Sequence, residues 1–108
     1  VARFHGAAAA ESAREGFELL EREQPDILLS DIAMPGEDGL SFIRRVRLLP
    51  PGSGGLTPSA ALSAYASAGD RRSALLAGFQ FHIAKPVDPG HLLAVIASMA
   101  QLREKRLS

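Results

Sequence analysis

Ile27, Leu28 and Leu29 follow directly on Pro25-Asp26 and run into Ser30-Asp31, ahead of the breaker-rich stretch Met34-Pro35-Gly36-Glu37-Asp38-Gly39. No other feature of the chain restricts its fold so strongly. A run this short, bounded by breakers, reads as a strand, and its continuous apolar character is that of a strand covered on both faces of a parallel sheet. A parallel neighbour requires a crossover of a dozen or more residues, usually helical. The flanking sequence supplies segments of that kind on both sides.

Upstream, "AAAAESAREGFELLEREQ" (residues 7–24) carries Ala13, Gly16, Phe17 and Leu20 on one helical face, and Pro25 ends it. Before it, "VARF" is a short strand candidate. Downstream, Leu40, Ile43 and Val46 recur at helical spacing while Arg44, Arg45 and Arg47 fall towards solvent, giving a second helix. "LPPGSGG" forces a loop, for which flexibility is the expected property, and its glycines make no dinucleotide fingerprint, since no strand feeds them. "PSAALSA" is the next strand candidate. "AGDRRSALLAG" reads as a short helix whose Gly78 suits a left-handed cap, and "FQFHIA" alternates into another strand. The last helix starts with Asp88 as N-cap and Pro89 at the first helical position, then places Leu92, Val95, Ile96 and Met99 on one stripe. Strands alternating with single helices predict an α/β domain over 1–108: a parallel sheet with helices on both faces.

Composition closes several alternatives. Twelve basic and twelve acidic residues cancel, which argues against nucleic acid or an anionic membrane as the main partner. Cysteine is absent, removing disulfide frameworks, thiol catalysis and cysteine-bound zinc. His5, His82 and His91 lack metal-ligand spacing, and no apolar run approaches the length of a membrane span. The basic tail "LREKRLS" reads as the end of a solvated helix. The chain begins at Val1 rather than methionine, the expectation being a piece of something longer.

In sheets of this class, chemistry gathers at the carboxyl ends of the strands. Asp31, Ser63 and Lys85 stand at three such ends. If those strands are neighbours, a carboxylate, a hydroxyl and an ammonium converge. A carboxylate is a competent nucleophile towards a phosphoryl group, forming an acyl phosphate, while a lysine and a hydroxyl neutralise and hydrogen-bond the added oxygens. Asp38 is placed to cap the helix after it, in an otherwise solvated loop with Glu37, and Gly39 reads as a residue of backbone geometry or close packing.

"PDILLSDIAMPGEDG", "ALSAYA" and "HIAKPVD", in this order and spacing, resemble the receiver domain of two-component response regulators and hybrid histidine kinases. The resemblance covers essentially the whole chain and implies a flavodoxin-like fold. It implies that Asp31 is the phosphoacceptor, charged from the phosphohistidine of a histidine kinase or a histidine phosphotransfer protein. Ser63 would be the switch hydroxyl, Lys85 the partner of the phosphoryl group, and the Lys85-Pro86 peptide cis. His82 stands where the family carries an aromatic switch residue. Ala33 would lend a backbone carbonyl to Mg²⁺ beside Asp31, and Ala33 and Tyr65 occupy positions that tune the lifetime of the phosphoryl group. The resemblance further implies a cytoplasmic signalling module rather than an enzyme, without direct contact to nucleic acid or membrane.

One part of the family pattern has no counterpart. A receiver domain opens with a strand ending in an acidic pair that holds Mg²⁺, and here only thirty residues precede Asp31. The family's first strand, first helix and acidic pair are therefore expected to be missing; Glu11, Glu15 and Glu18 belong to a helix and do not replace them. Asp31 with one carbonyl makes a poor octahedral Mg²⁺ site. A missing first strand would leave "VARF" the least secure element and the "ILL" edge open to strand pairing or dimerisation. Two other readings follow: a phosphorylation-independent pseudo-receiver that acts as a binding module, and a dehalogenase-type phosphatase, disfavoured because Ala33 stands where such enzymes place a second aspartate.

Overall fold

The computed structural model describes residues 13–23, 25–32, 38–64 and 68–107. Helix α1 (Ala13–Glu23) leads into strand β1 (Leu28–Asp31), helix α2 (Gly39–Arg47), a 3₁₀ turn (Pro51–Ser53), strand β2 (Ser59–Ser63), helix α3 (Ala68–Ala77), strand β3 (Phe81–Ala84) and helix α4 (Pro89–Leu107). The three strands form a parallel sheet in the order β1-β2-β3. Asp31 lies opposite Leu62, and Ser63 opposite Ala84. The "VARF" strand, Glu11, Ala33, Glu37 and Tyr65 lie outside the described residues.

Each crossover carries one helix, and because the strands advance in one direction the helices between them fall on the same face. Phe42, Ile43 and Val46 of α2 and Ala74 and Ala77 of α3 pack there with Leu20 of α1, against Leu28 and Ala61. After β3, α4 crosses to the opposite face, where Val95 and Met99 meet Ile27, Ala60 and Ile83. The stripe expected on this helix is therefore the one that is buried. Ala60 and Ala61 are both fully buried, and their small side chains let helices approach the middle strand closely from both sides.

Local chemistry sets the ends of these elements. Asp38 caps α2, its Oδ1 accepting from the Ser41 N–H at 2.8 Å, and Asp88 caps α4, its Oδ2 accepting from the His91 N–H at 2.9 Å. Gly78 terminates α3 at φ +133°, a conformation that excludes nearly every other residue. On α1, Phe17 meets Phe42 edge-on at 5.2 Å between centroids, and the Arg45 guanidinium stacks 4.4 Å from the Phe17 ring.

Two sequence expectations are corrected. Arg47 does not turn to solvent with Arg44 and Arg45. Its guanidinium is half-buried and donates to the carbonyls of Gly78 (2.9 Å), Gly55 (3.1 Å) and Thr57 (2.7 Å) and to Gln80 Oε1 (3.0 Å). The expected glycine loop contains the 3₁₀ turn, in which Gly54 adopts φ +105° and a side chain on Gly55 would collide with the Leu49 carbonyl. The C-terminal helix is not wholly solvated either, because Arg103 pairs with Asp26 at 2.7 Å, and Asp26 is only 6% exposed. That pair fastens the end of α4 to the start of β1.

Candidate functional site

The carboxyl ends of the strands carry the expected triad. Asp31 is the last residue of β1, Ser63 the last of β2, and Lys85 follows directly on β3. Lys85 Nζ donates to Asp31 Oδ2 at 2.6 Å, closing a contact between residues 54 positions apart in sequence. Both side chains are partly exposed, 40% and 36%, so the pair contributes about 0–1 kcal/mol to stability, and its main effect is to hold a cation on the carboxylate. Ser63 is buried, and its carbonyl accepts the Lys85 N–H at 2.8 Å, which fixes the point where β3 gives way to the site. The Lys85-Pro86 peptide that follows is cis.

The wall behind Asp31 is the N-terminus of α2. Gly39 donates its N–H to the Ile32 carbonyl at 2.6 Å, and Ile32 N–H in turn bonds Leu62 O at 3.0 Å. A Cβ on Gly39 would stand 2.4 Å from the Asp31 carbonyl oxygen and 2.7 Å from Ile32 Cα. Backbone touches backbone here, so only glycine lets the helix start against the end of the strand.

His82 is half-buried on β3, in register with Ala61. Its Nε2 is buried and, among the described residues, lacks a hydrogen-bond partner. An unsatisfied buried polar atom costs about 1–3 kcal/mol. Replacing His82 with Phe is therefore expected to raise the unfolding free energy by about 1 kcal/mol, seen as a higher urea midpoint at unchanged slope. A lower midpoint would mean that the ring nitrogen has a partner in solution.

The Mg²⁺ that the resemblance implies finds few donors. Among the described residues no three His, Asp or Glu side chains come close enough to hold a metal ion. Glu18 lies on the exposed side of α1, 3.5 Å from Arg14, and Asp26 is tied to Arg103 at the other end of β1. Asp31 remains, with Lys85 already on one of its oxygens. Mg²⁺ demands six oxygens in near-octahedral array, and these described side chains do not fit it.

Sequence reasoning placed Asp31, Ser63 and Lys85 at one end of the sheet, and the structure brings the first and last into contact. It missed a groove beside β3, where Arg71 and Arg72 of α3 face His91 of α4. Nothing in the linear pattern distinguishes those cations from solvated ones.

Comparison with known proteins agrees with this geometry. The family model for the response regulator receiver domain matches residues 2–97. A 14.6 kDa protein encoded in the sodA1 3' region of Leptolyngbya boryana is 48% identical over 81% of this chain and 65% of its own length. The chain thus spans less than two thirds of the curated relatives it first matches. Among solved structures, a CheY-like receiver domain protein of Methanospirillum hungatei superposes with a TM-score of 0.73 at 30% identity, covering 88% of this chain and 73% of that one. The receiver domain of the Pseudomonas aeruginosa sensor histidine kinase PA1611, described with a magnesium ion coordinated in its active-site cleft, gives 0.74 at 29% identity, covering 85% and 74%. With the parallel α/β sheet and the profile match over nearly all of its length, the chain belongs to the response regulator receiver domain family.

Proposed function

We propose that this domain, 1–108, is a phosphoacceptor module of two-component signalling, charged on Asp31 by the phosphohistidine of a histidine kinase or a histidine phosphotransfer protein. The observation that carries the reading is the 2.6 Å contact between Lys85 Nζ and Asp31 Oδ2, beside Ser63 on the neighbouring strand end. An Asp31 carboxylate oxygen attacks phosphorus, the P–O bond forms as the P–N bond of phosphohistidine breaks, and the imidazole leaves with a proton. Lys85 compensates the phosphoryl charge, and Ser63 supplies a hydroxyl to one of its oxygens. Lys85 joins the site directly to β3, so its movement is transmitted to His82 and to the face formed by α3, β3 and α4. A role as a signalling switch in the cytoplasm fits this chemistry; among the described residues no helix is long and apolar enough to cross a membrane.

A phosphorylation-independent binding module is the second reading, favoured by the poor metal donor set around Asp31. Intact mass after incubation with acetyl phosphate and Mg²⁺ separates the two. The proposed function requires a gain of one phosphoryl group that Asp31→Asn abolishes while its circular dichroism stays unchanged. Lys85→Ala is expected to retain labelling but to lose the amide NMR shifts of α3 and β3 that labelling produces. Absence of labelling in the unaltered chain selects the second reading, and labelling of Asp31→Asn overturns the assignment of the nucleophile.

A further inference from the structure

A cavity of about 360 Å³ opens at the amino ends of the strands, the end of the sheet opposite to Asp31 and Lys85. Asp26 precedes β1 and Pro58 precedes β2, and both line it together with Arg103 in the second half of α4. Most of the wall is apolar, built from Leu20, Pro25, Pro51, Leu56 and Pro58. Proline rings are rigid, so three of those walls are preformed. Among the lining residues, Asp26, Thr57 and Arg103 bring polar side chains. An apolar pocket of this size with a few convergent polar groups is the usual form of a small-molecule site.

The charged pair narrows the choice of ligand. The Asp26 side chain is only 8% exposed, and its Oδ1 meets Arg103 Nη2 at 2.7 Å. A carboxylate has a second oxygen, and a guanidinium has two further nitrogens. As a fastening alone such a pair adds little, because desolvating two charges offsets most of their attraction. An anion brought to Arg103 would also face the buried carboxylate, and a cation brought to Asp26 would face the guanidinium. A molecule that carries both charges side by side meets neither penalty. With its ammonium against Asp26 and its carboxylate against Arg103, opposite charges alternate around the four groups. A free α-amino acid holds those two groups on one carbon, and the leucine and proline walls ask for an apolar side chain.

We propose that this cavity binds a free α-amino acid with an apolar side chain, its ammonium against Asp26, its carboxylate against Arg103 and its side chain against Leu20, Leu56 and the prolines. The Thr57 hydroxyl adds a donor and an acceptor to the lining. Because the ligand bridges residues from the start of β1 and from α4, its binding stabilises the folded arrangement of those two elements. The inference does not depend on the proposed phosphoacceptor function, since the cavity and Asp31 lie at opposite ends of the sheet.

The test is a titration of the full, ¹⁵N-labelled chain with L-leucine and with L-phenylalanine, followed by amide NMR shifts. At least one of them is expected to shift Asp26, Leu56, Thr57 and Arg103 and to saturate below about 10 mM. The same molecule without its ammonium (4-methylpentanoate or 3-phenylpropanoate) should bind at least about tenfold more weakly, as should the one without its carboxylate (3-methylbutylamine or 2-phenylethylamine). Glycine, which lacks the apolar side chain, should bind more weakly too. Arg103→Lys keeps a charge beside Asp26 but loses the planar fork, so a loss of about tenfold is expected. Leu56→Glu, at a position 47% exposed, should weaken binding through the apolar wall while circular dichroism stays unchanged. If Arg103→Lys fails to fold, the two analogues carry the same test on the unaltered chain. Asp31→Asn should bind the amino acid as the unaltered chain does, so failure of phosphorylation and failure of the cavity read out separately. Lack of saturable shifts with both amino acids, equal affinity for either analogue, equal affinity of a folded Arg103→Lys or Leu56→Glu protein, or shifts centred on Asp31 and Lys85 overturns the proposal.

Discussion

Gly39→Ala is expected to lower the stability of this domain by about 2–4 kcal/mol, more than any other single methyl group added near the site. The new Cβ would meet the Asp31 carbonyl oxygen at 2.4 Å and Ile32 Cα at 2.7 Å, both backbone atoms that a rotamer change cannot move. The start of α2 would have to withdraw from β1, breaking the Gly39 N–H to Ile32 carbonyl bond. For a chain of this size such a loss lowers the melting temperature by on the order of 10 °C or more. Gly52→Ala is the control: it is exposed and none of the described residues lies within 4 Å of its added Cβ, so a change within about 0.5 kcal/mol is expected. Thermal unfolding of the two variants side by side checks the claim. A Gly39→Ala protein as stable as the Gly52→Ala protein would mean that α2 is not seated on the end of β1.

The second large effect is at Arg47. Truncation to alanine is expected to cost about 3 kcal/mol, because one guanidinium satisfies three carbonyls and a side-chain amide oxygen drawn from separate loops. Gln80 Oε1 also accepts the Ser59 N–H at 2.7 Å, so the cluster fixes where β2 begins as well as where α3 ends. Arg47→Lys should be nearly as damaging, since a single ammonium cannot span acceptors that a planar fork with five N–H groups reaches together. Arg44→Ala, on the exposed side of the same helix, is expected to change stability by less than about 0.5 kcal/mol. Urea unfolding at constant slope distinguishes these outcomes. Near-native stability of Arg47→Lys would show that charge rather than geometry makes the clamp.

Much of this protein is legible without coordinates, for reasons that are local. The short apolar run before Asp31, Asp88-Pro89 at the start of α4 and Gly78 at the end of α3 each act within a few residues, through burial, capping and backbone conformation. The motif spacing likewise set Asp31, Ser63 and Lys85 at successive strand ends, because a parallel sheet aligns all its carboxyl ends on one side. What the pattern left open is which polar side chains find partners across long stretches of chain. Arg44, Arg45 and Arg47 look alike in sequence, yet Arg45 covers Phe17, while Arg47 clamps loops 8, 10 and 31 residues away.

By itself, then, the sequence determined an α/β domain with a carboxylate, a hydroxyl and a lysine at the ends of its strands, since periodicity, breakers and caps are written residue by residue. Only the tertiary structure decided that Lys85 lies on Asp31, that Arg103 reaches the buried Asp26, and that Arg71, Arg72 and His91 share one groove. Those meetings depend on how two crossovers and a final helix pack on the sheet, and that packing is a property of the whole chain.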